Sequence, residues 1–276
     1  MSKITFFKPL FALPALFSVF VSIVGCSDSG QEALHVTQPE LVKTNIISEI
    51  GEANVEFEGY EELILEGWTV MISANVRKDA SLYQPAIEQL TQDFHKVKSV
   101  VPASVLPVLQ ETKVWLETSM PIKKLDRLFF NGSRKLTQKH GLDPRSYGGV
   151  ILGKTKAYLA VAGFKQWQML HELTHAYHQF HIKHTFEPID LSFENAQKLN
   201  LHNPKFDKKV QGSGYPTRNK KEYFAELTVS YFGERHFYPK NRSELAEYDP
   251  QGYCAVVKAW GLLGKQVDNV PLTCGA

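Results

Sequence analysis

The chain predicts an α+β fold, a small twisted sheet followed by helices. Strand-like segments come first and the strongest helical periodicity comes later, which is the α+β order. No internal repeat divides the 276 residues, and what remains after the N-terminal segment suits one large domain or two small ones. Charge excludes little, since the formal net charge is only +2.

The first element is a targeting segment over residues 1–25. Lys3 and Lys8 precede an almost wholly apolar stretch from Pro9 to Val24. Ile23-Val24-Gly25-Cys26 then gives way to polar Ser27-Asp28-Ser29-Gly30. A signal peptide has this order of charge, apolar core and small-residue exit. A membrane-spanning anchor fits less well, because Pro9 and Pro14 interrupt the run, which falls short of the ~20 residues a span needs. The cysteine after Gly25 resembles the lipobox of bacterial lipoproteins. That resemblance implies a lipid on Cys26 holding the protein to a membrane of the bacterial cell envelope. Ser27, rather than an aspartate, follows the cysteine, a pattern similar to that of outer-membrane lipoproteins in diderm bacteria.

Residues 26–62 read as an acidic tether. From Asp28 to Glu66 acidic residues dominate and Lys43 is the only base. This composition suits a solvated segment ending on the edge of the first strand. From Lys123 to Lys165 the balance turns strongly basic. No recognition-helix or aromatic-basic pattern accompanies it, so a nucleic-acid partner is not expected.

The domain from 63 to 276 begins with an extended stretch, Leu63–Val76, in which Ile64, Trp68, Val70 and Ile72 roughly alternate. Ser81 is placed to cap a helix running to Lys98, with Tyr83, Ile87, Leu90, Phe94 and Val97 at helical spacing. A short helix from Ala103 to Gln110 leads into a strand from Lys113 to Glu117. Leu125–Lys139 mixes apolar and basic residues around a turn at Asn131-Gly132. Val150-Ile151-Leu152 form a short strand between glycines. Tyr158–Val161 and then a long helical pattern follow, in which Phe164, Trp167, Leu170 and Tyr177 recur near the helical period.

That last helix contains His171-Glu172-Leu173-Thr174-His175, an H-E-x-x-H sequence. Residues four apart are neighbours on a helix face, about 6 Å along the axis. His171 and His175 can therefore aim two imidazoles at one metal ion, with Glu172 beside them. Two histidines on a half-buried helix can also be ordinary polar residues, so a third ligand decides the matter.

His181 stands ten residues beyond His171, where metzincins carry their third histidine. A metzincin needs a glycine where this chain has His178, and a later Met-turn, yet Met169 is the last methionine. On a continuous helix His181 lies about 15 Å from His171, too far to share an ion. His178, about 10 Å along, reads as a cleft or surface residue. Asp190, His202 and Asp207 have no spacing that recommends them. Lys220–Phe232 is a second apolar helix, with Glu222 and Glu226 one turn apart on one face. Carboxylates on such a helix need partners. Glu222 then binds zinc and Glu226 fixes a ligand histidine's tautomer. The alternative is an exposed pair bonded to Lys220 or Lys221.

Taken together, H-E-L-T-H-A-Y-H and the later Y-x₆-E-Y-F-A-E resemble the catalytic region of the anthrax lethal factor-like zinc peptidases, which are gluzincins. The resemblance runs from Gln166 to Phe232, and the following stretch to Pro250 resembles bacterial secreted relatives. Upstream of Tyr147 no specific motif supports it, and Pro216 departs from the pattern. The resemblance implies a zincin-like fold, one Zn²⁺ held by His171, His175 and Glu222, a general base at Glu172 and a transition-state donor at Tyr215. The partner is then a protein or peptide substrate, cleaved outside the cytoplasm. In zincins an edge strand before the metal helix holds the substrate backbone. Val150, Ile151 and Leu152 occupy that position in the chain, though the same strand would serve equally as core. Two other readings share these residues: a surface binding module with a structural zinc, and an amide hydrolase of cell-wall peptides.

With Cys26 assigned to lipid, Cys254 and Cys274 are left as one possible pair in a compartment where disulfides persist.

Overall fold

The computed structural model describes residues 56–57, 59–120, 128–162, 167–210, 214–263 and 274. The expected signal segment, Cys26 and most of the tether lie outside the described residues. No helix among the described residues is long and apolar enough to cross a membrane.

The fold is α+β, with a six-stranded sheet in the order β1-β2-β3-β4-β6-β5. Strands β1 (Glu56–Phe57), β2 (Tyr60–Leu65) and β3 (Trp68–Ser73) pair antiparallel. Strands β4 (Val114–Leu116) and β6 (Val150–Leu152) continue parallel to β3, and β5 (Leu128–Phe130) runs antiparallel along β6. Side chains alternate across this sheet, as strand geometry requires. Val70, Ile72, Val114, Leu116, Val150 and Leu152 enter the main core beneath the helices. Met71, Trp115, Phe129 and Ile151 form a smaller cluster on the other face.

The extended stretch expected over 63–76 is a hairpin instead. Glu66 and Gly67 both take positive φ, 55° and 93°, so the chain turns in two residues between β2 and β3. Such turns match the strand twist, and glycine is their usual second residue. Strand β1 and the start of β2 fall within the segment assigned to the tether, so the sheet takes in Glu56, Phe57 and Tyr60–Glu62 from it. Val76 belongs to a short helix, α1 (Ala74–Lys78), and not to the strand.

Helix α2 (Ala80–Val100) follows, and its cap is Asp79, not Ser81: the carboxylate accepts the Ser81 N–H at 3.0 Å. Ala86, Leu90, Phe94 and Val97 form its buried stripe. Phe94 stacks on Trp68 with ring centroids 4.4 Å apart, fastening helix to sheet. Helix α3 (Leu106–Gln110) is shorter than expected. The 125–139 region divides into β5 and helix α4 (Arg134–Lys139), capped by Ser133 Oγ. Between them the fully buried Asn131 side chain donates to Thr137 Oγ1 at 3.0 Å and Ser146 Oγ at 3.1 Å, which fixes the turn.

The strand order corrects one functional expectation. β6 lies between β4 and β5, and Val150, Ile151 and Leu152 are buried on both faces. It therefore has no free edge for a substrate. The outer strand on that side, among the described residues, is β5.

Six further helices follow among the described residues: α5 (Thr155–Val161), α6 (Gln168–Phe180), α7 (Glu187–Lys198), α8 (Lys220–Phe232), α9 (Arg242–Tyr248) and α10 (Pro250–Ala259). Helix α8 packs against α6, α7, α9 and α10. Cys254 of α10 is bonded to Cys274, the expected pair.

Candidate metal centre

Helix α6 carries the H-E-x-x-H sequence with its apolar side down. Met169, Leu170, Leu173, Ala176 and Tyr177 are buried, and Tyr177 donates its hydroxyl to Ala259 O at 2.9 Å. That packing fixes the rotation of the helix and leaves His171 and His175 on one side. Helix α8 crosses beside it. Its Asn219 cap accepts from the N–H of Lys221 at 3.0 Å and of Glu222 at 3.1 Å, which sets the first helical turn. Tyr223, Phe224 and Leu227 are buried, so Glu222 and Glu226 are turned toward α6.

Three donor atoms converge there. His171 Nε2 and His175 Nε2 are 3.1 Å apart, and Glu222 Oε2 lies 3.2 Å from the first and 3.3 Å from the second. Donors bound tetrahedrally to zinc at ~2.0–2.1 Å stand about 3.3 Å apart. The triangle therefore fits such an ion, and two imidazole nitrogens with one carboxylate oxygen are a donor set zinc takes. The Glu172 carboxylate belongs to the same cluster: one ligand atom from each of His171, Glu172 and His175 lies within 4.8 Å of the others.

The electrostatics lean the same way. Burial lowers the His171 pKa, but Glu222, Glu226 and Glu172 outweigh it and push the value up to about 10. Burial raises Glu222, yet the two histidines hold its carboxyl far below the usual range. Three carboxylates around two imidazoles make a place where positive charge is favoured, whether proton or metal.

Glu226 occupies the supporting position expected of it. Its Oε1 lies 3.3 Å from His171 Nδ1, which leaves Nε2 facing His175 and Glu222. Its Oε2 accepts from Arg235 Nε at 2.7 Å. Burial raises Glu226, but Arg235 and His171 outweigh it and bring the pKa down to about 2.

Glu172 is nearly buried, and its Oε2 accepts the Phe130 N–H of β5 at 2.9 Å. Burial raises its pKa against the opposing fields of His171 and His175. Tyr215 sits in a single 3-10 turn, Tyr215–Thr217, with its ring 6.0 Å from that of His171 and the Arg218 guanidinium 4.3 Å over its face. Burial raises its phenol pKa, so it is a hydroxyl donor. Pro216 lies in the first turn, where a missing N–H costs nothing.

The remaining candidates stay out of the cluster. His181 ends α6 with Nε2 3.6 Å from Glu111. Asp190 pairs with Lys220 at 2.6 Å, and His202 pairs with buried Asp249 at 2.9 Å. Asp207 Oδ1 accepts the Lys209 N–H. His178 is not a cleft residue: it is 1% exposed, packed between Phe224 and His184. The sequence reading missed Arg235 and Phe130. Neither has a motif position, because Arg235 follows the end of α8 and Phe130 comes from the distant sheet. Comparison with protein-family models, curated proteins and solved structures gives no match to this chain.

Proposed function

We propose that this protein is a zinc-dependent endopeptidase of the gluzincin type, similar to the anthrax lethal factor-like peptidases. We further propose that it is held in the cell envelope through a lipid on Cys26. The observation that carries the reading is the convergence of His171 Nε2, His175 Nε2 and Glu222 Oε2 within 3.1–3.3 Å of one another, with Glu172 alongside.

Zinc in that triangle would supply a Lewis acid, acidifying water and polarising the scissile carbonyl. Glu172 then acts as general base and returns the proton to the leaving nitrogen. Its burial-raised pKa suits that double task. The Phe130 N–H restrains one carboxylate oxygen and so aims the other. Tyr215 donates its hydroxyl to the oxyanion, with Arg218 stacked on its ring to hold it. Glu226 and Arg235 hold the His171 ring in register. The substrate backbone is placed along β5 rather than β6. Among the described residues β5 is the outer strand on that side, and its Phe130 N–H faces Glu172 instead of β6.

The test compares wild type with Glu172→Gln, measuring zinc content and hydrolysis of a denatured protein pool. The expected result is about one zinc per chain in both and cleavage by wild type alone. Zinc-free wild type, or identical cleavage by both, overturns the reading.

A further inference from the structure

An aromatic shelf adjoins the candidate metal centre. Phe130 of β5 lies over His175, with ring centroids 6.3 Å apart and planes at 26°. Phe180, at the end of α6, meets Phe130 edge-on at 6.1 Å. Tyr147 meets Phe180 edge-on at 6.0 Å. The Arg134 guanidinium covers the Tyr147 ring at 4.2 Å and closes that end. The series of rings thus runs outward from a candidate zinc ligand.

The shelf is open and its backing is cut away for it. Phe180 is 44% exposed although two other aromatic rings flank it. Gly148 lies directly behind it: a Cβ there would stand 3.2 Å from the Phe180 ring. Gly132 does the same for Phe130, where a Cβ would come within 2.6 Å of the ring. At these two positions no side chain stands against the rings. Phe130 also belongs to the strand whose N–H holds Glu172, so shelf and general base share one segment.

We propose that Phe130, Phe180 and Tyr147 form the subsite for a large apolar side chain, aromatic or leucine-like, of a peptide substrate. This rests on the peptidase reading and adds the substrate class to it. Ring-to-ring steps of about 6 Å from His175 compare with the ~3.3 Å rise per residue of an extended peptide. The side chain held there therefore belongs to a residue within a few positions of the bond cleaved. An edge-to-face arrangement leaves the exposed part of Phe180 for a further ring or a branched aliphatic group. The Phe130 and Phe180 rings carry no charge, so a basic side chain seated on them would lose hydration, with Arg134 repelling it from the Tyr147 end.

The test uses peptides identical except for Phe, Leu or Ala at one position, walked through the three residues on each side of a mapped cleavage site. Binding is read by fluorescence anisotropy on full-length, zinc-loaded Glu172→Gln protein, which needs no turnover. Cleavage preference is read on wild type. The expected result is one position where Phe and Leu bind about tenfold tighter than Ala. In a Phe180→Ala background the ratio falls below threefold. Phe180→Leu restores most of the discrimination. Equal binding of the Phe and Ala peptides at every position, or a ratio untouched by Phe180→Ala, overturns the shelf. Hydrolysis that persists without that preference rejects the shelf alone. Absence of zinc, or of Glu172-dependent hydrolysis, rejects the peptidase reading instead. Phe180 is half exposed, and circular dichroism checks that its truncation leaves the fold intact.

Discussion

Arg235 donates its Nε to Glu226 Oε2 at 2.7 Å, and the opposite oxygen of that carboxylate faces His171 Nδ1. The guanidinium is nearly buried and is tied down at both ends of its own residue. The backbone N–H of Arg235 donates to Lys240 O at 2.7 Å, and its side-chain Nη1 donates to Pro239 O at 3.4 Å. A buried carboxylate without such a partner would draw a proton and lose its hold on the imidazole. Arg235→Gln is expected to weaken zinc binding by about 10–100-fold, the usual cost of losing outer support at a metal site. Competition against a chromophoric chelator measures it. Unchanged affinity would show that Glu226 holds His171 unaided.

Glu222 and Glu172 are expected to separate in their effects. Glu222→Gln removes the anionic donor from the triangle, so zinc affinity falls and hydrolysis falls with it. Glu172→Gln leaves the three donors in place and costs activity by at least ~100-fold with zinc retained. Zinc bound per chain after dialysis, measured beside hydrolysis, distinguishes them. Equal zinc loss in both variants would make Glu172 a ligand rather than a base.

Helix α6 and its partner α8 were legible because their information is local. Spacing of four puts His171 with His175, and Glu222 with Glu226, on single helix faces. Their mutual approach needed only the resemblance and the expectation that carboxylates on an apolar helix have partners. Strand β6 was legible as a strand for the same reason. Its place inside the sheet was not, since Val150, Ile151 and Leu152 have the same periodicity at an edge or in the middle. The hairpin at Glu66-Gly67 was hidden because Glu66 adopts a left-handed conformation that its residue type rarely takes. His178 looked accessible by helix spacing, but α8 brings Phe224 over it. Arg235 and Phe130 reach the site through tertiary packing alone, and no short-range pattern marks either one.

The disulfide makes a separate prediction about stability. Cys254 lies in α10 and Cys274 is buried near the end of the chain, 20 residues on. A loop of that size restricts the unfolded chain by about 3 kcal/mol in the chain-entropy treatment. The double variant Cys254→Ser/Cys274→Ser is expected to lose roughly that amount in urea unfolding. Zinc binding proposed for the donor triangle of α6 and α8 should be unaffected. A variant as stable as wild type would show that the link does not constrain the unfolded state.

His178 gives the stability a pH dependence with a definite sign. Burial lowers its pKa to about 3, and His184, His175, Lys220 and Lys221 push in the same direction. Both ring nitrogens are buried and make no hydrogen bond among the described residues. The unfolded chain binds a proton here near the ordinary value of ~6.5, while the folded chain does not until about pH 3. Between those values the unfolded state holds more protons, so stability is fully present above pH 6.5 and falls as pH drops. At pH 4.5 the cost is about 2–3 kcal/mol, from ~1.4 kcal/mol for each pH unit traversed. His178→Phe keeps a ring against Phe224 and His184 and removes the titration. Urea midpoints at pH 7.5 and 4.5 are expected to lie closer together in that variant, with wild type the less stable of the two at the lower pH. Parallel losses in both proteins would mean that His178 is not the group whose protonation unfolds the chain.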